Sequence, residues 1–98
     1  MNIQAMMKQA QKLQKDMMSA KEEIEKNTYI GKSSLVTVEI MGNKKIKKIK
    51  INSEELELDD VEILEDMIVT AINDAMKQID KETEQKMGKF TNGMPGLF

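Results

Sequence analysis

Residues 35–52 read LVTVEIMGNKKIKKIKIN, and their periodicity decides the fold. Val36, Val38 and Ile40 alternate with Thr37 and Glu39, the two-residue period of a strand with one face buried. Gly42-Asn43 then supplies tight-turn chemistry. Beyond the turn, Ile49 and Ile51 share a face and Ile46 is out of phase with them. One bulge near Lys47–Lys48 restores the phase. The stretch is an antiparallel hairpin. Upstream, Thr28, Tyr29 and Ile30 form a short strand candidate ending before Gly31. The middle of the chain therefore reads as a meander of two or three strands.

Helices flank the meander. Residues 2–26 hold good helix formers and neither Gly nor Pro. Ile3, Met6, Ala10, Leu13, Met17, Ala20 and Ile24 are spaced alternately by three and four, a narrow seam of mean period 3.5. After a connector over 52–58, Asp59-Asp60-Val61-Glu62 fits a capping box with an acid at the cap. From there a second helix runs to about Met87. Its broad apolar stripe is Leu64, Met67, Ile68, Ala71, Ile72, Ala75, Met76 and Ile79. Gly88 is the expected stop. Residues 88–98 are expected to be a loose, Gly- and Pro-bearing tail, leaving 1–87 as a single α+β domain.

The expected order is α-β-β-β-α. At ~1.5 Å per residue the helices span about 36 and 42 Å, whereas a compact domain of this length has a radius of gyration near ~13 Å. Such helices project as arms, and one short meander cannot cover both seams. A homodimer is the simplest cover. The ten methionines suit irregular packing surfaces of this kind.

Composition narrows function by exclusion. The 98 residues contain no Cys, no His and no Trp, and every basic residue is Lys. Ser/His/Asp and Cys/His catalysis and thiolate metal sites are impossible. The expectation is a non-enzyme with no cofactor, no metal and no small-molecule substrate. The acidic run 54–66 lacks the Asp-x-Asp-x-Asp-Gly spacing of a calcium loop. It is read as helix-start acids, turned away from any DNA. No apolar run is long enough to span a membrane, so no membrane partner and a cytoplasmic location are expected.

Charge is unevenly placed. The net charge is −2, yet Lys44, Lys45, Lys47, Lys48 and Lys50 form a run without an acid. Lys8, Lys12 and Lys15 follow i, i+4, i+7 along the first helix, off its seam. These eight lysines are the candidate phosphate contacts, because ammonium groups neutralise phosphates without reading sequence. Aromatics are scarce, which disfavours base stacking on single strands or RNA and leaves duplex DNA as the preferred polymer. With no Arg, bidentate Arg contacts to guanine are closed.

Taken together, MMKQAQKLQKDM at the start, the hairpin, LEDMIVTAINDAMKQ in the second helix and KMGKFTNGMPGLF at the end resemble the small bacterial nucleoid-associated proteins of the YbaB/EbfC family. The resemblance covers nearly the whole chain. It implies a homodimer with an α+β body and tweezer-like helical arms. It also implies double-stranded DNA binding of little specificity and roles in nucleoid organisation and gene regulation. The alternative from another class is a dimeric protein-interaction adaptor using the helices and the apolar tail.

Overall fold

A computed structural model describes residues 2–57 and 59–91. The element order is α1 (Ile3–Lys26), β1 (Thr28–Ser33), β2 (Val36–Met41), β3 (Ile46–Ile51), a 3-10 turn (Ser53–Glu55) and α2 (Val61–Thr91). The α-β-β-β-α expectation holds, with an antiparallel sheet ordered β1-β2-β3.

The expected alternation is what builds the core. Val36, Val38 and Ile40 are fully buried under α2, together with Ala71, Ala75 and Ile79. On β3, Ile51, Ile49 and Ile46 pair with Val36, Val38 and Ile40. The register shifts at Glu39/Ile40, so Lys47 is the extra residue, and the expected bulge is present.

β1 is longer than expected. It runs through Gly31 to Ser33, because Gly31 is where helix and sheet backbones touch. A Cβ there would lie 1.9 Å from the Ala71 carbonyl oxygen and 2.7 Å from the Ala75 nitrogen. α2 is thus seated over β1. Its Asp74 carboxylate accepts the Lys32 N–H at 3.0 Å, and its Gln78 amide donates to the Ile30 carbonyl at 2.7 Å. These bonds cover the outer edge of β1, which would otherwise invite strand addition. β3 receives no such cover: Ile46 and Ile49 stay 49% and 41% exposed.

The second helix also departs from expectation at both ends. The capping box does not form; the Asp60 carboxylate accepts the Glu57 N–H at 3.0 Å instead, folding the connector onto itself. Gly88 does not stop the helix, which continues to Thr91. Glycine in a helix costs ~1 kcal/mol. Burying Met87 and Phe90, each 3% exposed, returns about 1.5–3 kcal/mol apiece and wins. They pack on Ile24, Met17 and Ala20 of α1. The expected tail from 88 therefore begins inside the helix, and its remainder, 92–98, lies outside the described residues. Among the described residues the outer half of α1 has no such cover, with Ile3 69%, Met6 53% and Leu13 37% exposed. The radius of gyration is 19.4 Å, well above the ~13 Å of a compact chain.

One polar cluster ties α1, β1 and α2 together. The Tyr29 hydroxyl donates to Glu82, and Lys86 pairs with Glu82 at 2.9 Å and Glu23 at 3.3 Å. The Tyr29 hydroxyl and then the Lys86 ammonium hold the Glu82 carboxyl below its ordinary value. Burial first, then Glu82, pushes the Tyr29 phenol up; the Glu82 and Glu23 carboxylates raise Lys86. A depressed carboxylate stabilises the fold above its unfolded pKa and loses that contribution as pH falls through its folded pKa. The raised Tyr29 and Lys86 lose theirs on the alkaline side. Glu82→Gln should therefore be less stable than the parent near neutrality, with the gap constant down to about pH 5 and closing as pH falls below the ordinary glutamate value of about 4.3. Urea unfolding across that range checks this, and a gap independent of pH would contradict it.

Candidate nucleic-acid interface

All eight candidate lysines are exposed. Among the described residues the ion pairs are those of Lys86 alone, so none of the eight is neutralised by another described side chain.

On α1, Lys8, Lys12 and Lys15 project from the side opposite Met17, Ala20 and Ile24, as ~100° per residue requires. Asn2 caps this helix by accepting the Ala5 N–H at 3.3 Å. The three lysines sit on the half of α1 that overhangs the body.

The hairpin positions the others. The Lys44 N–H donates to the Met41 carbonyl at 2.8 Å, and the Met41 N–H to the Lys45 carbonyl at 2.9 Å. The loop is thus three residues, Gly42-Asn43-Lys44, with Lys44 in the left-handed region at φ 72°. The expected Gly42-Asn43 turn is present, closed by the Lys44–Met41 bond, with Lys44 added to the loop after it. Gly42 also makes a close approach: a Cβ there would lie 1.8 Å from the Ile24 carbonyl oxygen. Its N–H also donates to the Asn27 carbonyl at 3.0 Å. The Lys45 N–H is held by the Asn43 side chain at 2.9 Å. A lysine therefore occupies the position where glycine is cheapest, on a tip clamped to the end of α1.

Beyond the tip, Lys47 is the bulged residue, and Lys48 and Lys50 stand on the sheet face away from α2, opposite Glu39 and Thr37. β3 leads away from the tip, so Lys50 is about 20 Å farther on, at ~3.3 Å per residue. Along α1, Lys15 lies ~14 Å and Lys8 ~24 Å from Ile24, at 1.5 Å per residue. The structure strings the eight lysines along a body measuring 72 × 20 × 14 Å. It does not bring the α1 set onto the β3 set.

Two further lysines join them that the sequence reading missed. Lys21 shares with Lys44 a hollow of about 210 Å³, also lined by Glu25 and Asp80. Lys32 stands opposite Thr37, which is itself opposite Lys50, so Lys32 and Lys50 share the outer sheet face. Only the strand register reveals this. The acidic run is not wholly turned away: Glu54 lines one hollow with Lys50, so Lys50, like Lys44 beside Glu25 and Asp80, has acid close by.

Among the described residues no group of three or more acidic side chains is placed to hold a metal ion. No described helix is long and apolar enough to cross a membrane.

Comparison with known proteins fits this arrangement. The profile of the YbaB/EbfC DNA-binding family matches residues 1–94. A nucleoid-associated protein of Lactococcus lactis subsp. cremoris (strain MG1363) is 54% identical over 97 residues, covering 97% of this chain and 98% of the relative. A nucleoid-associated protein of Enterococcus faecalis is 42% identical over 98 residues, covering 98% and 94%. The crystal structure of an uncharacterized protein, HP0035 from Helicobacter pylori, superposes with a TM-score of 0.73 at 17% identity, over 92% of this chain and 97% of that one, and so shares the fold. Matched along almost its entire length, the chain belongs to the YbaB/EbfC DNA-binding family.

Proposed function

We propose that this chain is a homodimeric nucleoid-associated protein of the bacterial cytoplasm. It binds duplex DNA through lysine–phosphate contacts of little sequence specificity, organising the nucleoid and influencing gene expression. The observation that carries this reading is the row of exposed lysines, unpaired among the described residues, on a body 72 Å long. That length matches about twenty base pairs at ~3.4 Å each. Relatives named nucleoid-associated proteins support it. So do the described aromatics: Tyr29 and Phe90 are 8% and 3% exposed and cannot serve as platforms for stacked bases. Base readout by a good bidentate contact is worth ~1–3 kcal/mol, and this chain has no Arg to make the commonest one.

The dimer reading rests on an apolar flank. Asp74 and Gln78 reach the β1 edge, so Val69, Ile72 and Met76, about half a turn away on α2, face the β3 side. Ile46 and Ile49, on that same side of the sheet, are themselves uncovered. A second copy buries this strip by two-fold symmetry. The parent should sediment as a dimer at micromolar concentration, and Ile49→Glu as a folded monomer. A monomeric parent would sink the assembly.

The DNA reading is checked by salt. Lys45, Lys47 and Lys48 changed together to Gln should weaken binding to all duplexes alike, with the log–log salt slope shallower by about one unit per lost phosphate contact. The Lys8, Lys12, Lys15 triple to Gln tests the arm in the same way. Unchanged affinity and slope in both folded variants would defeat lysine–phosphate binding.

Lys44 offers a sharper test, since structure and function pull it in opposite directions. A non-glycine residue in the left-handed region costs ~1–2 kcal/mol. Lys44→Gly should raise stability by up to about 1 kcal/mol while lowering DNA affinity. If the variant binds DNA like the parent, Lys44 makes no phosphate contact.

A further inference from the structure

The outer half of α1 is open on more than its seam. Every residue from Asn2 to Asp16 is exposed, and the described packing of α1 on Met87 and Phe90 begins at Met17. At ~100° per residue the helix surface divides into three strips. The seam of Ile3, Met6, Ala10 and Leu13 is one, and the row of Lys8, Lys12 and Lys15 lies opposite. Between them runs a third strip, Gln4, Met7, Gln11, Gln14 and Met18, centred about 100° round from the seam. Met7 and Met18 are 58% and 60% exposed. They point away from the seam, so cover for the seam does not cover them. A shallow groove of about 430 Å³ follows the inner part of this strip, lined by Gln11, Gln14 and Met18 with Lys15, Ser19 and Glu22.

The chemistry of the strip suits one kind of surface. Residues 2–15 contain three lysines and no acid, so this stretch is complementary to a polyanion. A bare helix is ~10–12 Å across, and the major groove of B-DNA is ~12 Å wide. With the lysine row against one phosphate ridge, the adjoining glutamines and methionines turn toward the base edges. Glutamine pairs with adenine N6 and N7 together, and apolar atoms meet the thymine methyl group. Gln4 and Gln11 are about 10.5 Å apart along the helix, which matches about three base pairs at ~3.4 Å each. Met7 stands between them. Glutamine and methionine therefore favour the same pair, A·T, and the commonest reader of guanine, Arg, is absent. Glu22 closes the inner end of the groove, which leaves residues 4–11 as the part fit to face bases.

We propose that the outer half of α1 lies in the major groove and that Gln4, Met7 and Gln11 read A·T pairs there. Lysine–phosphate contacts hold the duplex, and this strip adds a modest preference for A·T-rich sequence. The inference rests on the DNA-binding reading and names the residues and base pair that bias it.

The test uses the full chain and three duplexes of equal length: one rich in A·T, one rich in G·C, and the A·T duplex with 7-deazaadenine in place of adenine. The deaza base lacks N7 in the major groove and leaves the minor groove unaltered. In mobility-shift titrations the parent should favour the A·T duplex about tenfold, toward the lower end of what one bidentate pair discriminates. The deaza duplex should lose most of that preference, and so should Gln4→Ala/Gln11→Ala. Alanine is the best helix former, so the variant keeps its arm. Its salt slope should equal the parent's, because no charge changes. Equal affinity of the parent for the A·T and G·C duplexes would overturn the proposal. So would a preference that survives the deaza substitution, which reports minor-groove shape. A Gln4→Ala/Gln11→Ala variant that sediments as a monomer while the parent is a dimer would assign the strip to a second copy and overturn it too. Binding that is salt-dependent but indifferent to base pair defeats this inference alone, whereas no binding to any duplex defeats the DNA-binding reading with it.

Discussion

The rest of the architecture depends on the contact of two backbones at Gly31. With no Cβ on the strand and only methyl groups at Ala71 and Ala75, α2 rests directly on β1. Any larger residue at Gly31 would collide with the Ala71 carbonyl, a main-chain atom that cannot swing aside. Seating α2 there puts Asp74 and Gln78 beside the outer edge of β1, where they satisfy its free main-chain groups. It also commits the helix to one side of a three-stranded sheet. A helix centred on β2 would cover Ile46 and Ile49. Seated over β1, it leaves them open, together with Val69 on its own far flank. One close approach thus closes one edge of the sheet and leaves an apolar flank at the other.

Electrostatics follows the same asymmetry. The net charge of −2 describes no place on the molecule. Lys86 is engaged between Glu82 and Glu23, where it helps join α1 to α2. The lysines of the hairpin and of the outer α1 face have no described partner of this kind. At physiological salt, fields between exposed charges fade over about 8 Å. The acids after Ser53 lie about 20 Å from the hairpin tip by strand length, so they hardly weaken it. They weigh on Lys50, whose neighbour is Glu54. An acidic chain can therefore carry a locally basic surface, although Glu25 and Asp80 adjoin Lys44 at the clamped tip.

Local pattern made much of this legible, and the limits of the reading have a common cause. The alternation of Val36, Val38 and Ile40 and the phase slip at Ile46 are properties of consecutive residues. Strands and bulge could therefore be read directly, and so could the apolar stripe of α2. Gly88 was misjudged because its effect is set by what Phe90 buries against Ile24, more than sixty residues away. Gly31 and Gly42 were taken as strand end and turn former. In the structure both are points of close approach, to α2 and to the end of α1, and nothing local announces such contacts. Glycine spent at Gly42 is also why the left-handed position passes to Lys44. Lys32 escaped notice because only the register of three strands sets it beside Lys50.

The two lysine sets differ physically in a way their spacing conceals. Those at the hairpin tip are fixed by main-chain hydrogen bonds and by the seating of Gly42 on Ile24. Those on α1 stand on a half-helix whose described contacts end near Met17. Isolated helices shorter than about 12–15 residues are marginal in water. An uncovered stretch of that length frays, however good its cap at Asn2. Phosphate contacts tolerate loose positioning better than base contacts, because they require charge rather than a hydrogen-bonding pattern. A frayed arm still attracts a duplex, but each lysine it fixes costs conformational entropy on binding. The hairpin has already met that cost in folding. The hairpin is therefore the constant part of the candidate interface, and the contribution of the arm scales with how firmly its apolar seam is covered.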